Sequence, residues 1–328
     1  LALDEVMSGA ALRPCHMGDI HHCPQGGARI LSTPPWYAYL RIAEGCDNRC
    51  AYCVIPSLRG KFRSRTKESI LEEARLLAAS GVKELIIVAQ DITRYGIDLY
   101  GKVCLTELLK ELCKLDFRWV RLHYLYPELI DDELIDEIAS EDKIVKYLDI
   151  PIQHINDTIL RRMNRRGTGE EIRALFKKLR ERIPSLVLRT SLITGLPGEG
   201  EAEFEELCDF LREAKIERAG VFPYSPEEGT PAALMPDRCS TEEAQRRAEL
   251  CMEIQAEIMD GFAETFIGRE LDVLVMGREP DGTPWGRSEY DSPDIDSRVI
   301  FSGDAAPGDM VRVRIDSVDD GELIGEQI

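Results

Sequence analysis

From Tyr37 onward the chain alternates between two textures: short runs rich in β-branched and aliphatic side chains, and longer stretches whose apolar positions recur at helical spacing. The first kind spans Tyr37 to Glu44, Glu84 to Gln90, Trp119 to Tyr124, Tyr147 to Gln153, Leu186 to Thr194 and Ala219 to Tyr224, and each reads as a strand. Between them, Leu105 to Leu115, Asp131 to Ser140, Glu170 to Arg182 and Glu203 to Lys215 read as amphipathic helices. A further helix is expected to open on the capping box Ser69-Ile-Leu-Glu72 and to stop at Gly81. Strands alternating with crossover helices predict a parallel sheet. Six such units in fewer than 200 residues predict an open, partial (βα)6 barrel of the α/β class, since a closed eight-unit barrel takes about 250 residues.

The texture then changes. Ser240 to Ile267 reads as one long helix opened by Ser240-Thr-Glu-Glu243. After it come only short strand-like pieces separated by turns, LDVLVMG, DGTPWG, VIFSG, MVRVRIDSV and ELIGEQI, which predict a small all-β module. Residues 1–33 carry no sustained period and read as a connecting segment. The expected division is therefore 1–33 linker, 34–263 α/β barrel and 264–328 β module. The chain begins on Leu1, which together with the linker texture predicts a fragment whose N-terminal domain is missing.

Charge narrows the function. Sixty acidic against 41 basic residues give a formal charge of −19, which disfavours phosphate-rich partners. Within 264–328 stand six Arg, no Lys and sixteen acidic residues, a net of −10, so more than half of the charge sits in a fifth of the chain. No apolar run reaches the roughly 18–20 residues of a membrane span and no leader pattern opens the chain. The expectation is a cytoplasmic protein without a membrane contact.

The chemistry concentrates in Glu44-Gly-Cys46-Asp-Asn-Arg-Cys50-Ala-Tyr-Cys53, a C-x3-C-x2-C run directly after the first predicted strand. Cys46, Cys50 and Cys53 on so tight a loop suit three corners of a 4Fe–4S cubane, leaving the fourth iron open. A thioredoxin-like dithiol at Cys50 and Cys53, or a structural zinc completed by a distant His, are the competing readings. Cys15 and Cys23, with His16, His21 and His22 nearby, fit no iron–sulfur spacing. Cys104, Cys113, Cys208, Cys239 and Cys251 occur singly and read as packing.

C-x3-C-x-aromatic-C after the first strand of such a barrel resembles the radical S-adenosylmethionine (SAM) superfamily. Tyr37-Ala-Tyr-Leu-Arg-Ile-Ala-Glu-Gly-Cys46, Ile55-Pro-Ser-Leu-Arg-Gly60, Val88-Ala-Gln-Asp91, Pro151-Ile-Gln-His154, Leu160-Arg-Arg-Met163, Thr194-Gly-Leu-Pro-Gly-Glu199 and Tyr224-Ser-Pro-Glu-Glu-Gly-Thr-Pro231 resemble the methylthiotransferase family within it, over residues 34–328. The β module resembles a TRAM domain, a small barrel that in that family docks the macromolecular substrate.

The resemblance implies an enzyme. SAM would chelate the open iron, and one electron from an external reducing donor would split it into methionine and a deoxyadenosyl radical. Gln90, Gln153, Arg189 and Thr194 at the strand ends are suited to holding SAM, with Tyr52 over the adenine. The competing reading of the two glutamines is a polar strand cap, and of Arg189 an ion pair. The family takes its sulfur through a second 4Fe–4S cluster on an N-terminal domain, for which this chain has no second triad. One branch modifies a tRNA adenosine, the other the β-carbon of an aspartate in small-subunit ribosomal protein S-twelve. An acidic module suits the basic ribosomal protein and makes tRNA the less expected partner. Arg287-Ser-Glu-Tyr-Asp-Ser-Pro-Asp-Ile-Asp296 and Ser225-Pro-Glu-Glu-Gly-Thr230 also resemble that branch, the acidic run otherwise being a solvated loop. The basic stretch Arg59-Gly-Lys-Phe-Arg-Ser-Arg65 would face a phosphate, the cofactor carboxylate, or acids such as Glu68 and Glu72, with Arg63 a candidate for neutralising the substrate aspartate. The alternatives are a tRNA adenosine methylthiotransferase and a non-catalytic Fe–S or zinc docking factor.

Overall fold

The computed structural model describes residues 19, 20, 22, 23, 25, 26 and 29–328. Cys15, His16, His21 and most of the expected linker lie outside the described residues. The first strand, β1 (Tyr37–Arg41), is followed by a short antiparallel hairpin, β2 (Ala43–Glu44) and β3 (Arg63–Ser64). The sheet continues with β4 (Glu84–Val88), β5 (Trp119–Leu122), β6 (Ile144–Asp149), β7 (Val187–Thr194) and β8 (Arg218–Pro223). Its order is β1-β4-β5-β6-β7-β8, every neighbour is parallel, and β1 does not pair with β8, so the barrel is open. Five further strands, β9 (Glu270–Arg278), β10 (Pro284–Ser288), β11 (Val299–Ser302), β12 (Met310–Asp319) and β13 (Glu322–Gln327), close into a small barrel.

Local chemistry explains where elements begin and end. The helix Lys67–Ala79 is capped by Thr66, not by the expected Ser69. Thr66 holds the extended backbone and its side chain accepts from Ser69 N, while the Ser69 hydroxyl accepts from Arg65. Thr168 and Glu171 form a full capping box on Gly169–Arg182, and Ser240 caps Thr241–Glu264. The fourth barrel strand runs Ile144–Asp149 instead of Tyr147–Gln153, because Pro151 has no N–H to continue a ladder. The expected run Tyr37–Glu44 divides after Arg41, and its last two residues pair with Arg63–Ser64; the helices Ile55–Arg59 and Asp157–Arg162, which the sequence pattern does not predict, are too short to show a period.

Alternation along the strands separates two interiors. Leu85, Ile87, Val120, Leu122, Leu148, Leu188 and Leu192 face the surrounding helices and form the main core. Trp119, Val145, Tyr147 and Val187 face the lumen, where they join one apolar cluster with Phe266, Leu271, Leu274, Tyr290 and Phe301 of the β module. The β module therefore caps the lumen at the N-terminal ends of the strands.

The acidic run 287–296 makes that cap. Most of it is not a solvated loop: Arg287, Ser288, Asp291 and Ser292 are buried, while Asp294 and Ile295 stay exposed. Arg218 Nη2 donates to Asp291 Oδ1 at 2.8 Å, the Tyr147 hydroxyl donates to Asp296 Oδ2 at 2.6 Å, and His123 Nε2 lies 3.1 Å from the Ser292 hydroxyl. Glu84, wholly buried on β4, receives Arg121 Nε at 2.7 Å and also Arg287 from the run. Burial alone would raise the Glu84 carboxyl, yet the guanidiniums of Arg287 and Arg121 hold it below its usual range. His123 is pushed down to about 3 by burial, with Arg121 and Arg189 adding to it, so it stays neutral. The acid left on the module's surface includes Asp304, Asp316, Asp319 and Asp320.

Candidate functional site

The cysteine loop sits at the opposite, C-terminal end of the strands and is tied down from four sides. Cys46 N donates to Gly60 O at 3.1 Å, and Phe62 N donates to Asp47 Oδ1 at 3.1 Å, fixing the loop to the chain that leads into β3. Asn48 Nδ2 donates to Asp91 Oδ2 at 3.0 Å, an anchor just beyond β4. Ala51 N donates to Met163 O at 2.8 Å and Asn164 Nδ2 to Arg49 O at 2.8 Å, both beyond β6. Ala232 N donates to Ala51 O at 2.9 Å, beyond β8.

Cys46 and Cys50 are buried and Cys53 half-buried. Burial pushes the Cys46 thiol up to about 11, with Asp91, Cys50 and Cys53 adding to the rise, and burial also raises Cys53. Cys50 has polar company: Arg165 Nη1 lies 3.9 Å and the Tyr126 hydroxyl 3.7 Å from its Sγ. The Arg165 guanidinium stacks over the Tyr126 ring at 4.5 Å and donates to Pro151 O at 2.7 Å. A cavity of about 460 Å³, lined by Cys46, Asp47, Arg49, Pro56, Ser57, Gly60 and Lys61, flanks the loop.

Among the described residues no three His, Cys, Asp or Glu side chains converge as ligands of one metal ion. Three thiolates of a cubane would not converge, because each binds a different iron. Soft thiol donors on a buried, multiply anchored loop fit such a cluster. A second sign of an occupant lies alongside, where the side-chain oxygen of Gln90 is buried beyond β4 with no partner.

The other residues singled out by sequence divide. Gln153 stands at the lumen mouth in a left-handed conformation, φ 72°, its backbone bridging to Ser191 and Ile193. Tyr52 packs with Ile193 and Leu196, and burial holds its hydroxyl protonated. Arg189 faces the lumen and donates to Asp149 Oδ1 at 2.8 Å, the ion-pair reading of that residue. Thr194 does not face the lumen. It has the same strand parity as Leu188 and Leu192, and its hydroxyl donates to Ala244 O of the long helix at 2.9 Å, so its side chain is engaged away from the lumen.

The basic stretch also divides. Arg65 is buried against Glu73 at 2.7 Å, the residue after the expected Glu72, while the Arg63 guanidinium donates to Arg59 O at 3.0 Å on the surface. Cys23 donates to Arg63 O at 3.5 Å and, among the described residues, joins no group of three metal-ligand side chains. Cys104, Cys113, Cys208 and Cys251 are buried as expected of packing thiols and Cys239 is half-buried. Glu199 braces the mouth internally: it accepts from Gly195 N and Arg247 Nη1, each at 2.9 Å, and lies 3.3 Å from His154 Nε2. Sequence reasoning missed Asp91 as an anchor, and also Tyr126 and Arg165. The last two reach Cys50 from 76 and 115 residues away and carry no local signal.

A model of the radical SAM superfamily matches residues 40–211, and one of the TRAM domain matches residues 267–328. The chain is 50% identical over 305 residues to ribosomal protein uS12 methylthiotransferase RimO of Caldanaerobacter subterraneus subsp. tengcongensis, covering 92% of this chain and 70% of that protein. It is also 50% identical to the protein of the same name from Symbiobacterium thermophilum, covering 91% of this chain and 63% of the relative, so it spans about two thirds of these relatives' length. In fold it is similar to coproporphyrinogen III oxidase (HemN) from Escherichia coli, a radical SAM enzyme, with a TM-score of 0.52, 20% identity, and 69% and 54% of the two chains covered. The three-cysteine loop over an open parallel barrel and the identity along nearly the whole chain agree: the chain belongs to the radical SAM superfamily and, within it, to the uS12 methylthiotransferase family.

Proposed function

We propose that this chain carries the radical-generating and substrate-docking parts of an enzyme that methylthiolates the β-carbon of an aspartate in small-subunit ribosomal protein uS12. The observation that carries the reading is the placement of the cysteine loop over the open end of a lumen whose other end the β module seals. Membership of the superfamily implies a 4Fe–4S cluster and SAM. Cys46, Cys50 and Cys53 would hold three irons of that cluster. When bound, cluster and SAM supply an electron and a deoxyadenosyl radical, the electron coming from an external one-electron donor.

The chain's own groups bind and orient. Asn48 and Asp91 fix the loop's angle, Gln90 and Gln153 offer polar contacts to SAM at the mouth, and Tyr52 offers a ring face. The sealed floor keeps bulk water from entering below. We assign residues 34–263 to the radical-SAM part and 264–328 to docking. A second 4Fe–4S cluster, for sulfur delivery, is proposed for the additional length that the relatives carry. Among the described residues no helix is long and apolar enough to cross a membrane.

Two tests follow. Arg165 places a positive charge beside a ligand thiolate, which favours the more negative, reduced cluster. Arg165→Met is expected to lower the cluster's reduction potential by roughly tens of millivolts, read by redox titration under EPR; an unchanged potential would remove Arg165 from this role. For the substrate, the protein joined to the upstream length of its relatives is incubated anaerobically with SAM, reductant and either isolated uS12 or tRNA. A methylthio mass gain on uS12 alone is expected, and a gain on tRNA alone would replace this reading with the tRNA one.

A further inference from the structure

The lumen holds several buried guanidiniums, and they are not equivalent. The side chain of Arg121 is 0% exposed, with Nε on Glu84 and both Nη atoms buried without a hydrogen-bond partner among the described residues; that of Arg218 is 7% exposed, with Nη2 on Asp291 and Nε 3.6 Å from Asp296, so neither offers an accessible edge. Arg189 is 19% exposed and uses only Nη1, on Asp149; among the described residues its Nε and Nη2 make no hydrogen bond. Asp149 has both oxygens engaged, the second accepting from Tyr124 N at 3.2 Å, so the Arg189 side chain is held by one edge of its fork with the other edge open. Around the mouth above it, Phe222 is left 54% exposed.

Depth decides what that open edge can meet. The cysteine loop packs at the level of Ile193 and Leu196, through Ala51 and Tyr52. Arg189 lies four residues below Ile193 on the same strand, roughly 13 Å at about 3.3 Å per residue. Arg189 therefore stands well below the level at which the cysteine loop packs, where a side chain entering the lumen beneath that loop ends against it. A carboxylate brought into this closed space needs a paired cation with fitting geometry, and an open guanidinium edge accepts one through two parallel hydrogen bonds.

We propose that Arg189 is the specificity-determining residue that receives the carboxylate of the substrate's acidic side chain at the lumen floor, rather than a SAM contact, with Asp149 as its positioning residue. This rests on the reading of the chain as a uS12 aspartate methylthiotransferase. The bidentate contact would fix the adjacent β-carbon and distinguish Asp from its amide.

The test uses the holoenzyme joined to the upstream length of its relatives, with uS12 carrying Asp or Asn at the modified position. The parent enzyme is expected to favour Asp over Asn by about 100-fold in kcat/KM. Arg189→Gln is expected to lower the Asp rate to the Asn rate and erase the preference, while Arg189→Lys, which keeps the charge and the Asp149 partner, retains part of it. A preference that survives in Arg189→Gln, or a SAM affinity lowered tenfold or more in Arg189→Lys with the preference intact, would overturn the assignment. A parent enzyme that fails to methylthiolate uS12 defeats the functional reading itself, whereas modification by the parent with equal Asp and Asn rates defeats only this inference.

Discussion

Gly45→Ala is expected to abolish cluster assembly, although the substitution adds a single methyl group. Gly45 starts the cysteine loop at φ 79°, where an L side chain is strained, and a Cβ there would stand 2.2 Å from Lys61 O and 2.7 Å from Gly60 O. Both contacts are backbone, so no side chain can swing aside. The same segment accepts Cys46 N at Gly60 O, and relieving the clash breaks that bond and turns Cys46 away from its partners. The strain and lost contact together cost about 3 kcal/mol or more at the loop. Anaerobic reconstitution followed by iron and sulfide analysis should give near-parent circular dichroism with little iron retained. Gly81→Ala is the control, because that glycine shares a positive φ but has nothing within 4 Å of its Cβ position. Equal iron in the Gly45 and Gly81 variants would show that the loop tolerates what the geometry forbids.

Glu84→Gln is expected to be the most destabilising conservative change outside the site. It leaves Arg121 and Arg287 buried without their shared counter-charge, and removing one partner of a buried ionic group typically costs about 3–5 kcal/mol. Because the folded carboxyl titrates below its ordinary range, its contribution is complete at neutral pH and is lost as pH falls through the folded value. Parent and variant should therefore differ most near neutrality and converge in acid, read as denaturant midpoints at a series of pH values. The exposed Lys102–Glu107 pair is the comparison: Glu107→Gln should shift the midpoint little. If Glu84→Gln shifts it no further than Glu107→Gln does, the Glu84 bridge between barrel and β module is not a stabilising contact.

Much of the architecture was legible because it rests on patterns a linear reading can see. Six β-branched runs gave six parallel strands, and the change of texture after the long helix gave the closed small barrel. The fourth strand starts three residues and ends four residues earlier than expected, because the apolar run continues past Asp149 through Pro151, where hydropathy stays high but the ladder stops. Thr194 shows a misjudgement that parity would have prevented: Leu188, Leu192 and Thr194 alternate with Arg189, Ser191 and Ile193, so one set must face helices.

The cysteine triad was visible from spacing alone, but its surroundings were not. Asp91, Tyr126 and Arg165 reach the loop only because three different strand ends converge on it. The acidic run 287–296 had the largest change of meaning. A charge count treats Asp291 and Asp296 like any surface acid, and only the tertiary structure shows them spent on Arg218 and Tyr147 inside the lumen. The argument for a basic partner therefore rests on the acid that stays outside, such as Asp304, Asp316, Asp319 and Asp320.

The most direct measurement is anaerobic reconstitution of the chain, metal and sulfide analysis, and EPR of the dithionite-reduced protein with and without SAM. About four iron and four sulfide per chain are expected, with a spectrum that changes on adding SAM and release of methionine and 5′-deoxyadenosine. Loss of the cluster in Cys50→Ala should abolish all three. One tightly held zinc per chain, with no SAM-dependent signal and no cleavage, would contradict the account.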